Sequence, residues 1–549
     1  MLLLLCLGGS LVAQVRTVGR INYDDSLAFL GYTLFSPNQD YKTYLIENCG
    51  LKVHEWESSY QPGMMSYLRE DGLLLRAGRD FANHNFASTG GNGGVLELID
   101  WWSVRQWGYK VSNDSILAHH EIFPMPNGNV LVIVWDKHDQ ADAVQNGRNP
   151  LQIPDGEIYS ESIYELRPIF PDSAELVWEW RLWDHLIQDY DLNKSNYGVV
   201  SDHPELMDIN YLGISQGDAD WLHANSIAYN ADRNEVILGF RETSEVIVID
   251  HSTTTAEAAG HTGGTRGKGG DILWRWGNPE AYGQGSPLDQ RLFEQHDAHW
   301  VENGLAHAGE VIIFNNGLTR PGGRSSVEFV QPEIDLSGNY VLIAGRFMPD
   351  SAQHTFWTHP GDTIDATLMG GAQILPNGNL FVAQATHGRF VEFDSTGQLA
   401  WEYISPILPL SLVVNQGSAV PGNTTSWSNA VFKCRKYAPE YPGLAGFALP
   451  HGDPLEGSPY PDTTCSTPVG RVEAVINTMD VYPNPAWDVA NVRFPSSGRR
   501  DWEVLDLWGR RLRSGTVRGA ELEISVADLP DGVYVLKAGT VSGRLIVGH

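Results

Sequence analysis

The chain has 549 residues, 42% of them hydrophobic, with 57 Gly, 30 Pro and 18 Trp, a composition that supports a large folded core and excludes general disorder. Its 67 acidic against 37 basic side chains give a formal charge of -30. That field disfavours nucleic acid and anionic membrane surfaces as partners, and an anionic substrate needs a local basic pocket.

The opening "MLLLLCLGGSLVAQ" is a short apolar run ending in small residues. It reads as a signal peptide over residues 1–14, cleaved near Ala13 or Gln14, and is too short to span a bilayer. No transmembrane segment is expected. Once it is removed, Cys49, Cys434 and Cys465 remain, which allows one internal disulfide. Cys49 with Cys434 and Cys434 with Cys465 are the two pairings considered, and the sequence does not choose. No pair has CxxC spacing, so no thiolate zinc site is expected.

From residue 23 to 445 two short β patterns alternate. The first is a polar start, an alternating run, an Asn-Gly-like turn and an apolar strand. Its copies are "SYLREDGLLLRAG" from Ser66, "HHEIFPMPNGNVLVIV" from His119, "HANSIAYNADRNEVILGF" from His223, "HDAHWVENGLAHAGEVIIF" from His296 and "GGAQILPNGNLFVAQ" from Gly370. Asn-Gly between such runs is a hairpin signal. The second pattern ends in tryptophan, as in "VLELIDWWSVRQW" from Val95 and "FVEFDSTGQLAWEY" from Phe390; a degenerate copy, "VEFVQPEIDLSGNYVLIAG", starts at Val327.

Paired, the patterns predict five four-stranded units. A sixth is expected from Tyr44–Glu57 together with Ser426–Tyr437, closing a ring with strands from both ends. The fold class expected is therefore all-β: a six-bladed β-propeller, in which radial repetition hides the sheet edges.

Residues 446–471 are Pro- and Gly-rich and read as a linker. Residues 472–549 carry "VYPNPA" from Val481, "VLDLWGRRL" from Val504, "LPDGVYVLKA" from Leu529 and "RLIV" from Arg544. These four ordered motifs resemble the C-terminal sorting domain of the type IX secretion system. That resemblance implies an immunoglobulin-like β-sandwich, export through the periplasm of a Gram-negative bacterium to the surface or medium, and the secretion machinery as a partner.

Seven residues before the turn residues Asn127, Asn230 and Asn303 stand His120, His223 and His296. Equal spacing from the turn means equal orientation on equivalent strands, so three blades aim a histidine at one end of the central channel. The loops on that face carry Arg241, Arg320 and His387. His119, His138 and His299 are expected to be hydrogen-bonded strand ends, and His299, three residues beyond His296, is expected on the other side of its strand. Histidines among guanidinium groups suit an oxyanion better than a cation, so no metal is expected there.

Tyr44 to Gly446 resembles the bacterial PAPS-independent arylsulfate sulfotransferases. The matching stretches are "DWLHANSIAYN" from Asp220, "ILWRWGNP" from Ile272, "QHDAHWVENG" and "IIFNNGLTR" within Gln295–Arg320, and "GGAQILPNGNLFV" with "GRFVEFDSTGQLAWEY" within Gly370–Tyr403. The resemblance implies ping-pong transfer of a sulfuryl group from a phenolic sulfate donor to a phenol acceptor through a sulfohistidine. It implies His387 as nucleophile, His296 for sulfuryl contact, His223 for acid–base work and Arg320 for charge compensation; Arg241 and His120 are added by ring geometry as substrate-binding residues. No cofactor is expected: "GTRGKGG" from Gly264 lacks the Ser or Thr of a phosphate loop.

Two other readings stand beside transfer. One is a secreted propeller that binds a glycan or anionic ligand without chemistry; the other is sulfate-ester hydrolysis, although the Cys/Ser-x-Pro-x-Arg motif is absent.

Overall fold

In the computed structural model the described residues are 15–548, apart from 87–89, 360–361, 421–427, 462–464, 466–478, 483–485, 506–509, 531 and 540. The signal-peptide segment 1–14 lies outside them. The chain forms two compact units: the first takes residues up to 444 together with 449–461, and the second takes 445–448 and 462–549.

The first unit is an all-β propeller. Among the described residues it holds six antiparallel sheets of four or more strands, five of four and one of five. Their innermost strands are Pro62–Leu68, Ile116–Pro124, Ala224–Asn230, His296–Trp300, Gly371–Ile374 and Val431–Tyr437. Each neighbours the next in that order, and the last returns to the first. The sheet around Val431–Tyr437 takes its other three strands, Tyr32–Pro37, Lys42–Glu47 and Lys52–Glu57, from the opposite end of the unit. Gly19–Tyr23 adds a fifth strand outside Leu399–Ile404.

The degenerate copy departs from its expected form. The fourth strand of the His296–Trp300 sheet is His354–Phe356, whereas Leu342–Ile343 pairs with Arg346–Phe347 as a separate hairpin. The apolar "VLIAG" run thus turns back on itself at Ala344 and Gly345, both in the left-handed region, instead of continuing the sheet.

The tryptophans that end each blade are core residues with a second task. The indole N–H of Trp107 donates to Ser173 O, that of Trp180 to Gly270 O, Trp276 to Pro349 O and Trp401 to Asn48 O. Each bond runs from one blade to the next, so one residue supplies apolar burial and a lock between sheets.

Cys434 faces the core between sheets with Phe35, Tyr44 and Phe390 and is a buried free thiol. Cys49 and Cys465 are the disulfide-bonded cysteines. Neither pairing involving Cys434 is present, because that side chain is enclosed by aromatic packing.

The second unit has its own apolar core, including Val492, Val504, Ile524, Leu536 and Leu545. Its long strand Val489–Leu505 pairs with Asp480–Tyr482 through its first half and with Gly532–Ala538 through its second, while Arg511–Ser525 runs along its other edge. The strands thereby wrap both sides of one small core.

Candidate functional site

Innermost strands begin irregularly. Register shifts interrupt the pairing at Pro62/Ser66, Ala224/Ser226 and His296/His299, and Val132/Val134 opposite His120. A bulge adds one residue and re-aims the side chain beside it. His120 (φ 49°) and His223 (φ 54°) sit in the left-handed region, a conformation that costs energy away from glycine and is concentrated at functional sites. His120 packs so tightly on Gly91 (φ 73°) that a Cβ there would lie 2.0 Å from the imidazole.

The structure brings His120, His223 and His296 together. The His120 and His223 rings are 4.4 Å apart between centroids, and Phe432 lies 6.0 Å from His120 and 6.2 Å from His296. The hydrogen-bond network assigns each tautomer. Asn316 donates its amide N–H groups to Ala366 O and Met369 O, both at 2.7 Å, leaving its Oδ1 to accept from His296 Nδ1–H at 2.8 Å. His119 donates from Nε2 to Glu161 at 2.9 Å, so its Nδ1 accepts from His120 Nδ1–H, also at 2.9 Å. His223 donates from Nδ1 to Asp220 Oδ2, and Asp220 Oδ1 accepts the Trp135 indole N–H at 3.0 Å. All three imidazoles are thus held by Nδ1, and Nε2 of each has no hydrogen-bonding partner among the described residues.

Their charge states differ. Burial, reinforced by His223 and His119, pushes His120 well below the ordinary histidine range. Burial also pushes His296 well down, with Arg241 and Lys433 adding to it and the Asn316 bond opposing. For His223 burial pulls the same way, but the Asp220 charge and hydrogen bond outweigh it and the pKa is raised. Two neutral imidazoles therefore adjoin one that holds a proton more tightly. Arg241, fixed by Glu242 and by Glu294 at 2.6 Å, acts electrostatically on both His223 and His296.

The remaining two residues expected at the site sit further out. His387 ends the 3₁₀ turn Ala385–His387, its carbonyl accepting from Asn429 Nδ2 at 2.9 Å. Ala385 belongs to the same buried cluster as Phe432, the ring that lies near both His120 and His296. Arg320 donates to Ser326 Oγ at 2.8 Å and Glu328 at 3.0 Å and lies over Trp357 and Phe293. Among the described residues its contacts are with its own blade and Trp357, not with the histidines.

His299 does not face away from the channel. The bulge after His296 inserts one residue into the alternation, and His299 joins Asp297, Arg435 and Lys433, with burial lowering its pKa to about 4. His119 is hydrogen-bonded, as expected, and its two bonds run to Glu161 and to His120.

Sequence reasoning passed over the groups that orient the ring. Asp220 lies in the "DWLHANSIAYN" stretch and Asn316 in "IIFNNGLTR", and the i, i+3 spacing of Asp220 to His223 is a usable signal. Lys433 and Arg435 come from the strand that closes the propeller. Lys433 Nζ contacts Glu121 at 2.6 Å and Asp297 at 3.1 Å, Arg435 pairs with Asp297 at 2.6 Å, and Tyr67 donates to Glu121 at 2.7 Å. Burial opposes ionisation of Asp297, but Arg435 and Lys433 hold it far below the usual carboxylate range. Beyond this layer the channel opens, at the other ends of the same strands, into a cavity of about 400 Å³ lined in part by Phe123, Tyr229, Trp300 and Tyr437.

Residues 103–333 match the family model described as Arylsulfotransferase (ASST), and residues 480–547 match the Secretion system C-terminal sorting domain. No curated protein matches the chain. Among solved structures, a protein of unknown function from Bacteroides caccae is 10% identical, with 74% of this chain and 98% of that chain covered and a TM-score of 0.38. The periplasmic gluconolactonase PpgL of Pseudomonas aeruginosa is 12% identical, covering 74% and 99% with a TM-score of 0.36. The β-propeller domain of Cps50 (Swd1) from Myceliophteria thermophila is 11% identical, covering 70% and 89% with a TM-score of 0.33. The propeller thus contains a stretch that matches the arylsulfotransferase model, the C-terminal match to the sorting domain indicates export to the surface or medium, and no helix of the described residues is long and apolar enough to cross a membrane.

Proposed function

We propose that the protein is an exported aryl sulfotransferase that moves a sulfuryl group from a phenolic sulfate ester to a phenol through a sulfohistidine. The observation that carries this reading is the set of three imidazoles anchored by Nδ1 at one channel mouth, two neutral and one with raised proton affinity, in a chain whose residues 103–333 match an arylsulfotransferase model.

In the first half-reaction a neutral imidazole attacks sulfur, an N–S bond forms and the S–O(aryl) bond breaks. His223 Nε2–H gives its proton to the departing phenolate. In the second, the now neutral His223 takes the acceptor's phenolic proton, the phenolate attacks sulfur, and the N–S bond breaks. We assign attack to His387, sulfuryl contact to His296, substrate placement to His120 and charge compensation to Arg241 and Arg320. A second reading gives attack to His296, favoured by its neutral state and the fixed tautomer that leaves its Nε2 lone pair available.

The test is release of nitrophenol from 4-nitrophenyl sulfate with and without a phenol acceptor, together with trapping of an acid-labile ³⁵S label on the protein. Transfer predicts release that rises with acceptor. Release indifferent to acceptor indicates hydrolysis, and its absence indicates a binder. Loss of the label in His387→Ala with retention in His296→Ala supports the first assignment; the reverse pattern supports the second.

A further inference from the structure

The glycine-rich stretch "GHTGGTRGKGG", Gly260 to Gly270, has no place in the proposed chemistry. It follows the short helix Thr255–Ala258, whose Thr254 and Glu257 form a reciprocal cap, and it closes on itself through Gly270 N–H to Gly260 O at 2.9 Å. Ordering so many glycines is entropically costly, so the base of the loop needs strong attachment.

Three side chains meet at that base. His185, fully buried, has Nδ1 at 2.9 Å from Asp271 Oδ1, and the same oxygen lies 2.7 Å from Nδ1 of His261, which is 60% exposed. The ligand atoms of all three fall within 4.8 Å of one another. The His185 and His261 rings stand at 85° to each other.

An independent observation sets the state of His185. Its Nε2 lies 2.8 Å from Ala258 O, and a carbonyl only accepts, so Nε2 carries a proton. In the neutral ring Nδ1 is then a lone pair, aimed at another acceptor. An imidazole that donates to a backbone carbonyl from one nitrogen and presents the other to a carboxylate and a second imidazole has the outer-shell arrangement of a metal ligand. The ring is locked by Trp180, which stacks on it at 7° and donates its indole N–H to Gly270 O at 2.7 Å. Gly270 has no room for a side chain, since a Cβ there would lie 2.5 Å from His185 Nε2 and 2.0 Å from Ala258 O.

We propose that His185, His261 and Asp271 form a divalent-cation site of the zinc class that clamps the base of the 260–270 loop. Two imidazole nitrogens and one carboxylate oxygen supply three of four tetrahedral positions, and the exposed side of His261 leaves the fourth to water. The proposal is independent of the sulfuryl-transfer reading.

The full chain, stripped with EDTA and dialysed, is titrated with ZnCl₂ by calorimetry and digested with trypsin, which has Arg266 and Lys268 as targets in the loop. Zinc is expected to bind and to slow cleavage at those two residues. In His261→Ala, whose exposed side chain can be removed without disturbing the core, that binding event should weaken by at least about tenfold and the protection should vanish. His354→Ala is the control, because His307, Glu310 and His354 form a second convergent group, and it should leave both readouts at the 260–270 loop unchanged. Zinc binding and loop protection that survive both His261→Ala and Asp271→Asn, or the absence of any zinc binding, would overturn the proposal.

Discussion

At the scale of single residues, His223 and its partner Asp220 offer the sharpest test of the chemistry. A group whose folded pKa is raised stays protonated through the usual histidine range and loses its proton as pH climbs through the raised value. In the proposed first half-reaction that proton goes to the departing phenolate, so kcat/KM for the donor should fall on the basic side above pH 6.5, the ordinary histidine value. Asp220→Asn removes the charge that outweighs burial, leaving burial and Arg241 opposed only by the smaller contribution of Glu242. The basic limb should then move below pH 6.5 while the acid limb, set by the neutral attacking imidazole, holds its place. His223→Ala should lower kcat/KM by roughly 10²- to 10⁴-fold. Initial rates with 4-nitrophenyl sulfate across pH measure both effects, and an unmoved basic limb in Asp220→Asn would show that His223 is not the acid.

At the scale of strands, the closing strand Val431–Tyr437 has two roles, joining the ends of the propeller and delivering Lys433 and Arg435 to the channel. Lys433 is completely buried between Glu121 and Asp297. Removing one member of such a group leaves uncompensated charge in a dry interior, which costs about 3–5 kcal/mol. Lys433→Met should lower the unfolding free energy by an amount of that order at neutral pH, seen as a lower denaturant midpoint, and adding Glu121→Gln should return part of the loss. If Lys433→Met leaves the midpoint where it was, water reaches the channel centre and the layer is not sealed.

This strand also shows what could be read in the chain beforehand. Hairpin turns and terminal tryptophans are local patterns, so the sheets and the register of His120, His223 and His296 were legible. "FKCRK" carries cations at alternate positions but nothing local says which carboxylates they meet. Glu121 and Asp297 lie 312 and 136 residues before Lys433 in the chain, and only ring closure pairs them. His299 was misplaced for a related reason, since a bulge is a property of two paired strands and leaves no mark in the spacing of one. The orienting acids were partly visible: Asp220 stands three residues before His223, but Glu161 reaches His120 only through His119 from a different strand.

At the scale of the whole molecule, the two units differ in what the propeller needs from them. Three strands of the closing sheet come from Tyr32–Glu57, before the first inner strand, so deletion of residues 15–57 leaves Val431–Tyr437 without its sheet partner. Lys433 and Arg435 then lose their position between Glu121 and Asp297, two sheet edges are exposed, and edge-to-edge association follows. That variant should be recovered as aggregate with no transferase activity. The sorting unit is different, because its core of Val492, Val504, Ile524 and Leu536 is separate from the propeller clusters. A chain ended after Cys465 keeps both disulfide-bonded cysteines and every inner strand. Calorimetry should show it losing one unfolding transition while the other keeps its midpoint, with kcat/KM for 4-nitrophenyl sulfate within about twofold of the full chain, since each unit has its own core and such domains can fold alone. A fall in the propeller midpoint by several degrees would mean that the second unit supports the first, and the division of labour between an independent catalytic ring and a separable export module would have to be abandoned.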